Sequence, residues 1–186
     1  MRHKYDTQGL VLARTPIAEA GMLVTVLTPD LGLIRARAEG LRRSGAKLAH
    51  ALQALCESDL MLVRGKEGWR LTGAVLGRDR FQALSRTGRM RVARVAGLLL
   101  RLVHGDSDDP ELHRLFTEFT EVLPELSEEE QANAEALVAL RLLAALGVDA
   151  GGIPPEGYGP DALTYAEAHR AELISRINRG ISASGL

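Results

Sequence analysis

Leu33-Ile34-Arg35-Ala36-Arg37-Ala38-Glu39 is the stretch whose pattern settles the class of fold. Ile34, Ala36 and Ala38 recur at every second position, while Arg35, Arg37 and Glu39 occupy the alternate ones. A period of two is that of a β-strand with one buried face and one wet face. Working outward, residues 22–28 read as a preceding strand rich in β-branched residues, and Thr28-Pro29-Asp30-Leu31-Gly32 carries turn chemistry between the two. Residues 8–14 read as a first strand, closed by Thr15-Pro16. In the other direction, a short helical stretch at 48–55 leads to strands at 58–64 and 69–76. These form a hairpin across Gly65-Lys66-Glu67-Gly68. Five short strands with one brief helix between the third and fourth fit an OB-fold barrel.

From about residue 81 the apolar period changes from 2 to 3.6. Residues 89–103 place Val92, Val95, Leu99 and Leu102 on one side and Arg91, Arg94 and Arg101 on another. Asp109-Pro110 supplies an N-cap with proline at the first helical position, and Ser127 with Glu130 makes a capping box. Thr164 with Glu167 reads as a second capping box, opening a final helix that buries Leu173, Ile174 and Ile177. The expected class is therefore α+β: a five-stranded OB-fold β-barrel domain at residues 1–78, then an all-α helical domain at 79–186. A Gly/Pro-rich loop is expected at about 150–163.

An apolar fraction of 46% with a quarter of the residues charged excludes a disordered chain. The single cysteine, Cys56, excludes an internal disulfide and a cysteine-cluster zinc site, so no metal or other cofactor is expected. The polar start MRHKYDTQG has no secretory apolar core, and a cytoplasmic address is expected. Net charge is only −1, but it is unevenly divided. Residues 1–101 hold 18 Lys and Arg against 8 Asp and Glu; residues 102–186 hold 5 against 16. The first half points to a polyanionic partner, or else the two halves dock on each other by charge.

Five cations fall within 13 residues, opposed only by Glu39: Arg35 and Arg37 on one strand face, then Arg42, Arg43 and Lys47 on the loop that follows. Arginine's planar fork grips phosphate in two places, and Gly40, Ser44 and Gly45 let a backbone approach closely. Nucleic-acid phosphate is the expected ligand, the alternative being a solubilising strand face. Only Tyr5 and Trp69 offer aromatic rings in the barrel region, and Trp69 is equally at home in the core. Binding is therefore expected to be electrostatic, tolerant of sequence and shared by single strands and duplexes. Arg91, Arg94 and Arg101 form a second basic surface, open to an acidic partner peptide or to pairing with the acidic half. Five scattered histidines, a lone cysteine and no Gly-rich phosphate loop leave no catalytic arrangement, and no enzyme is expected.

With these elements placed, residues 7–71 resemble the RecO family of bacterial recombination mediators. The resemblance rests on the acidic-plus-apolar approach at 19–26, the turn at 28–32, the loop Gly40-Leu41-Arg42-Arg43 and the step Leu52-Gln53 before the fourth strand. It implies a role in DNA repair and recombination, with binding of single- and double-stranded DNA and annealing of complementary strands. It also implies work with a RecR-like partner and single-strand-binding protein (SSB) to load recombinase, in a nucleoid-associated, cytoplasmic setting. Carried over by residue, the DNA surface includes Arg35, Arg37, Arg42 and Arg43; Lys47 is added on charge alone. Many family members carry a four-cysteine zinc module in the region of 147–163, where this chain has no cysteine. An adaptor docking proteins through the acidic half, and an RNA-binding OB protein, are the competing readings.

Overall fold

The computed structural model describes residues 3–17, 21–39, 47–80 and 82–184, with Lys47 described in its backbone only. Arg42 and Arg43, with the rest of the 40–46 loop, lie outside the described residues. The chain divides into two compact units: Met1–Gln82 with Gly105–His113, and Ala83–His104 with Arg114–Leu186.

The first unit contains β1 (His3–Ile17), β2 (Gly21–Thr28), β3 (Gly32–Glu39), α1 (Lys47–Ala51), β4 (Cys56–Gly65) and β5 (Gly68–Asp79). The strands run in the order β1-β2-β3-β5-β4, and β4 pairs back onto β1 to close a barrel. All pairings are antiparallel except β3 with β5, which closes the ring in parallel. This is the OB-fold expected from the strand pattern. Alternation in β3 holds as read: Ile34, Ala36 and Ala38 are buried, Arg35 is half-buried, and Arg37 and Glu39 are exposed. The inward faces meet in one cluster that includes Val11, Val26, Ile34, Leu60, Leu62, Trp69 and Leu71. Leu52, just past α1, is fully buried in that cluster, so the helix plugs the barrel.

Of the elements of this unit, β1 and α1 depart furthest from the ranges read from the sequence. β1 extends at both ends, because it serves two partners in succession: His3–Leu10 pair with β4 and Leu10–Ile17 with β2. A register shift between Val11 and Ala13 bends the strand near that handover, as a bulge does at a barrel corner. Beyond Leu10 the strand has lost its β4 partner, so Pro16 sits at an edge, where a missing N–H breaks no ladder. α1 is shorter than expected. The chain leaves it through Leu55, whose φ of 64° is held by its N–H donating to the Val11 carbonyl at 2.8 Å.

The second unit is helical, with α2 (Arg86–Leu102), α3 (Pro110–Val122, entering from the first unit), a 3-10 turn at Leu123–Glu125, α4 (Glu128–Ala145), α5 (Pro160–Ala168) and α6 (Arg170–Ala183). α4 packs against α2, α5 and α6 and is buried almost all round. Its start is the expected capping box, with both the Ser127 and Glu130 hydrogen bonds formed. The second expected capping box is absent. Gly159-Pro160 opens a helix one turn earlier, which puts Thr164 inside α5, and the chain breaks at His169 before α6 begins. α6 buries Leu173 and Arg176, whereas Ile174 is 44% exposed. No described helix is long and apolar enough to cross a membrane.

Gly97 lies inside α2, and a Cβ there would meet nothing within 4 Å. Gly97→Ala is expected to stabilise the helical unit by about 0.5–1 kcal/mol, because alanine loses less backbone entropy on entering a helix. A urea titration followed by far-ultraviolet circular dichroism measures it.

Candidate nucleic-acid interface

Arg35 and Arg37 leave the same side of β3 but have different surroundings. The Arg35 N–H donates to Asp106 Oδ1 at 3.1 Å, and its guanidinium donates to the Gly105 carbonyl. Ser107 bridges to Leu33 on the same strand, its N–H donating to the Leu33 carbonyl at 2.8 Å. Residues 105–107 thus line β3 before its β5 pairing begins at Ala36. Arg35 serves this attachment. Arg37 projects to solvent, its side chain 57% exposed, with a 3.2 Å ion pair to Glu67.

Barrel closure brings further cations to Arg37. In the parallel β3–β5 pair the register sets Arg37 beside Arg70, and neighbouring strands are about 4.8 Å apart. Both side chains point outward, since Ala36, Ala38, Trp69 and Leu71 take the inward positions. A groove of about 1100 Å³ surrounds the β4–β5 hairpin at this end of the barrel. Among the described residues, Lys4, Arg37, Arg64, Lys66 and Arg70 line it, against two acids, Glu39 and Glu67. Glu67 pairs with Arg37, and Glu39 with Arg70 at 2.7 Å. All four side chains in these pairs are at least half exposed, so each pair contributes little and is screened by salt.

Trp69 anchors the floor of the groove. It is 8% exposed and belongs to the barrel core, with the Tyr5 ring edge-on at 5.0 Å and the Arg64 guanidinium 4.7 Å from its centroid. Arg64 also pairs with Asp106 at 2.9 Å. The Trp69 Nε1–H is shut off from solvent and has no acceptor among the described residues.

Sequence reasoning placed Arg37 on the outer face but missed Lys4, Lys66 and Arg70. Three cations in the seven residues 64–70 were a local signal; Lys4 joins them only through the closing of the barrel.

The arginine surface of α2 meets the acidic α4 directly. Glu135 accepts from Arg91 at 2.7 Å and from Arg94 at 2.5 Å and 2.7 Å, while Arg101 is exposed. An acidic peptide at Arg91, Arg94 and Arg101 would therefore compete with Glu135. Cys56 is 1% exposed, and burial pushes its thiol pKa up, the direction opposite to an activated thiolate. Among the described residues, no group of three or more His, Cys, Asp or Glu side chains is placed to hold a metal ion.

Residues 1–76 match the family model described as recombination protein O N terminal. Proteins named DNA repair protein RecO are similar to the chain. That of Dehalococcoides mccartyi is 38% identical over 72 residues, 39% of this chain and 28% of the relative. That of Gloeobacter violaceus is 32% identical over 107 residues, 56% and 41% respectively. That of Nostoc punctiforme is 28% identical over 155 residues, 80% and 51%. The matched stretches thus span from about a quarter to half of these relatives' own lengths. The stretch that carries most of the closed barrel, residues 1–76, is thus similar to the N-terminal domain of recombination protein O.

Proposed function

We propose that the chain acts in DNA repair and recombination by binding single- and double-stranded DNA on the basic face of its barrel. On this reading Arg37, Arg42, Arg43 and Lys47 take phosphates, and Arg35 fixes the segment that borders them. The observation that carries the reading is the basic end of the barrel, with Arg37 exposed among further cations, in a domain similar to the N-terminal domain of recombination protein O. Neutralising phosphates allows two strands to approach, and base pairing then supplies the specificity. That is the physical basis for annealing complementary strands. Work on SSB-coated DNA, with a RecR-like partner and a recombinase, belongs to the same proposal and rests on the resemblance of residues 7–71 to the RecO family; the names of the relatives support the repair role alone.

Fluorescence anisotropy of a labelled strand and its duplex, repeated across salt concentrations, tests the reading. For four to six phosphate contacts, log K against log salt should fall with a slope of about −3.6 to −5.4 for duplex and about −2.8 to −4.2 for single strand. Reversing Arg37, Arg42 and Arg43 to glutamate should flatten the duplex slope by about 2.7 and slow annealing. Binding that ignores salt, or annealing untouched by the triple reversal, would sink the assignment.

A further inference from the structure

The groove around the β4–β5 hairpin holds cations that the 35–47 surface does not include, and two acids cross-linked to them. Arg37 and Arg70 are register partners on adjacent strands, both on the outer face, and Lys66 occupies the hairpin tip. Lys4, on β1, lines the same groove. Arg64 is different: it lies over the Trp69 ring and is ion-paired to Asp106, which leaves it a structural task. Two carboxylates occupy these arginines, Glu67 on Arg37 and Glu39 on Arg70. Their side chains are 86% and 73% exposed, and among the described residues the arginines are what holds them there.

We propose that this groove seats the backbone of a single nucleic-acid strand, with Arg37, Lys66, Arg70 and Lys4 as phosphate ligands and Glu39 and Glu67 as built-in competitors that strand phosphates displace. The proposal rests on the nucleic-acid reading above and deepens it. A carboxylate on an exposed arginine carries the same single negative charge as one phosphodiester, but without the run of neighbouring charges that a strand presents. Two such occupants lower affinity at every site they fill, without blocking entry. They also make binding reversible, as a protein that releases annealed product requires. An exposed pair opens at low cost, and salt weakens it along with the competing phosphate contact.

Trp69 is the only tryptophan of the chain and lines the groove, so its emission reports occupancy. The test uses the full chain and a labelled oligothymidylate, reading label anisotropy and Trp69 emission together. Glu39→Gln with Glu67→Gln should tighten binding about tenfold. Lys66→Glu with Arg70→Glu should weaken it at least tenfold, and the emission change should share the anisotropy midpoint. All four positions are solvent-exposed, so circular dichroism should match the parent chain. Gain of affinity on removing two carboxylates is a sign that a merely structural role would not produce. If the strand binds but Trp69 stays silent and both double variants remain within twofold, the groove assignment is overturned while the 35–47 surface stands. If the parent chain binds no DNA at all, both readings fall together. If oligoglutamate moves Trp69 emission as far as the strand does, the groove takes an acidic peptide and the nucleic-acid assignment is overturned.

Discussion

Arg176→Met is expected to cost the helical unit about 3–5 kcal/mol, a large share of a domain's stability. Arg176 is buried on α6 and grips Asp149, with Nη2 to Oδ2 at 2.6 Å and Nε to Oδ1 at 3.3 Å. The same nitrogen donates to the Gly152 carbonyl at 2.8 Å, so one side chain ties the 149–152 loop to the helix. The side chains are 6% and 10% exposed, and truncating the arginine strips the carboxylate of its main counter-charge, leaving it the Gly151 backbone and the weaker pull of Arg179. Asp149→Asn added to Arg176→Met should recover part of the loss, because it removes the stranded charge.

Acidity provides a second check. The Arg176 guanidinium holds the Asp149 carboxyl below its ordinary range. A depressed folded-state pKa stabilises at any pH above the unfolded value of about 3.9, and that stabilisation is lost as pH falls through the folded value. The gap between parent and Arg176→Met should therefore be widest near neutrality and close in acid. Urea titrations at pH 7 and pH 3 measure both effects. A loss below about 1 kcal/mol at pH 7 would mean that the pair is not a keystone of the loop.

Gly32→Val is expected to cost the barrel unit about 3–5 kcal/mol. At φ +61° a β-branched residue is strained by about 1–3 kcal/mol. A Cβ would also stand 2.0 Å from the Ser107 carbonyl oxygen and 2.9 Å from the Asp109 nitrogen, both backbone atoms that cannot swing aside. The 105–109 segment would have to leave β3, breaking the Ser107 to Leu33 hydrogen bond and the Asp106 contacts to Arg35 and Arg64. Gly68→Ala separates strain from collision. Gly68 has φ +98° in the hairpin turn but nothing within 4 Å, so only the conformational cost applies. Trp69 emission in urea reports barrel unfolding for both variants. Equal costs at the two glycines would show that residues 105–109 contribute nothing to the barrel.

The pattern at 33–39 was enough to place a half-buried strand, and the turn residues on either side were enough to count five strands around one helix. The Ser127 and Glu130 spacing located the start of α4 to the residue. These are local properties: side-chain period, turn dihedrals and capping hydrogen bonds are all decided within a few residues. Arg37 on the outer face follows from the same alternation.

What lay beyond sequence is what joins distant residues. The parallel pairing of β3 with β5 has no local signature, yet it alone sets Arg37 beside Arg70 and forms the groove. β1 runs past its apolar stretch because β4 hydrogen-bonds its polar first half, whatever the side chains there prefer. Nothing local in the sequence sets Arg176 and Arg141 apart from the chain's other arginines. The fold instead buries them, Arg176 on Asp149 and Arg141 on the Pro155 and Gly157 carbonyls beneath the Tyr158 ring. A charge can enter the interior only when its partners arrive with it, and those partners come from loops 14 to 27 residues away. Period and propensity decided the elements of this protein; which cations face water and which are held inside was decided by tertiary pairing, because desolvation is charged against contacts that only the folded chain assembles.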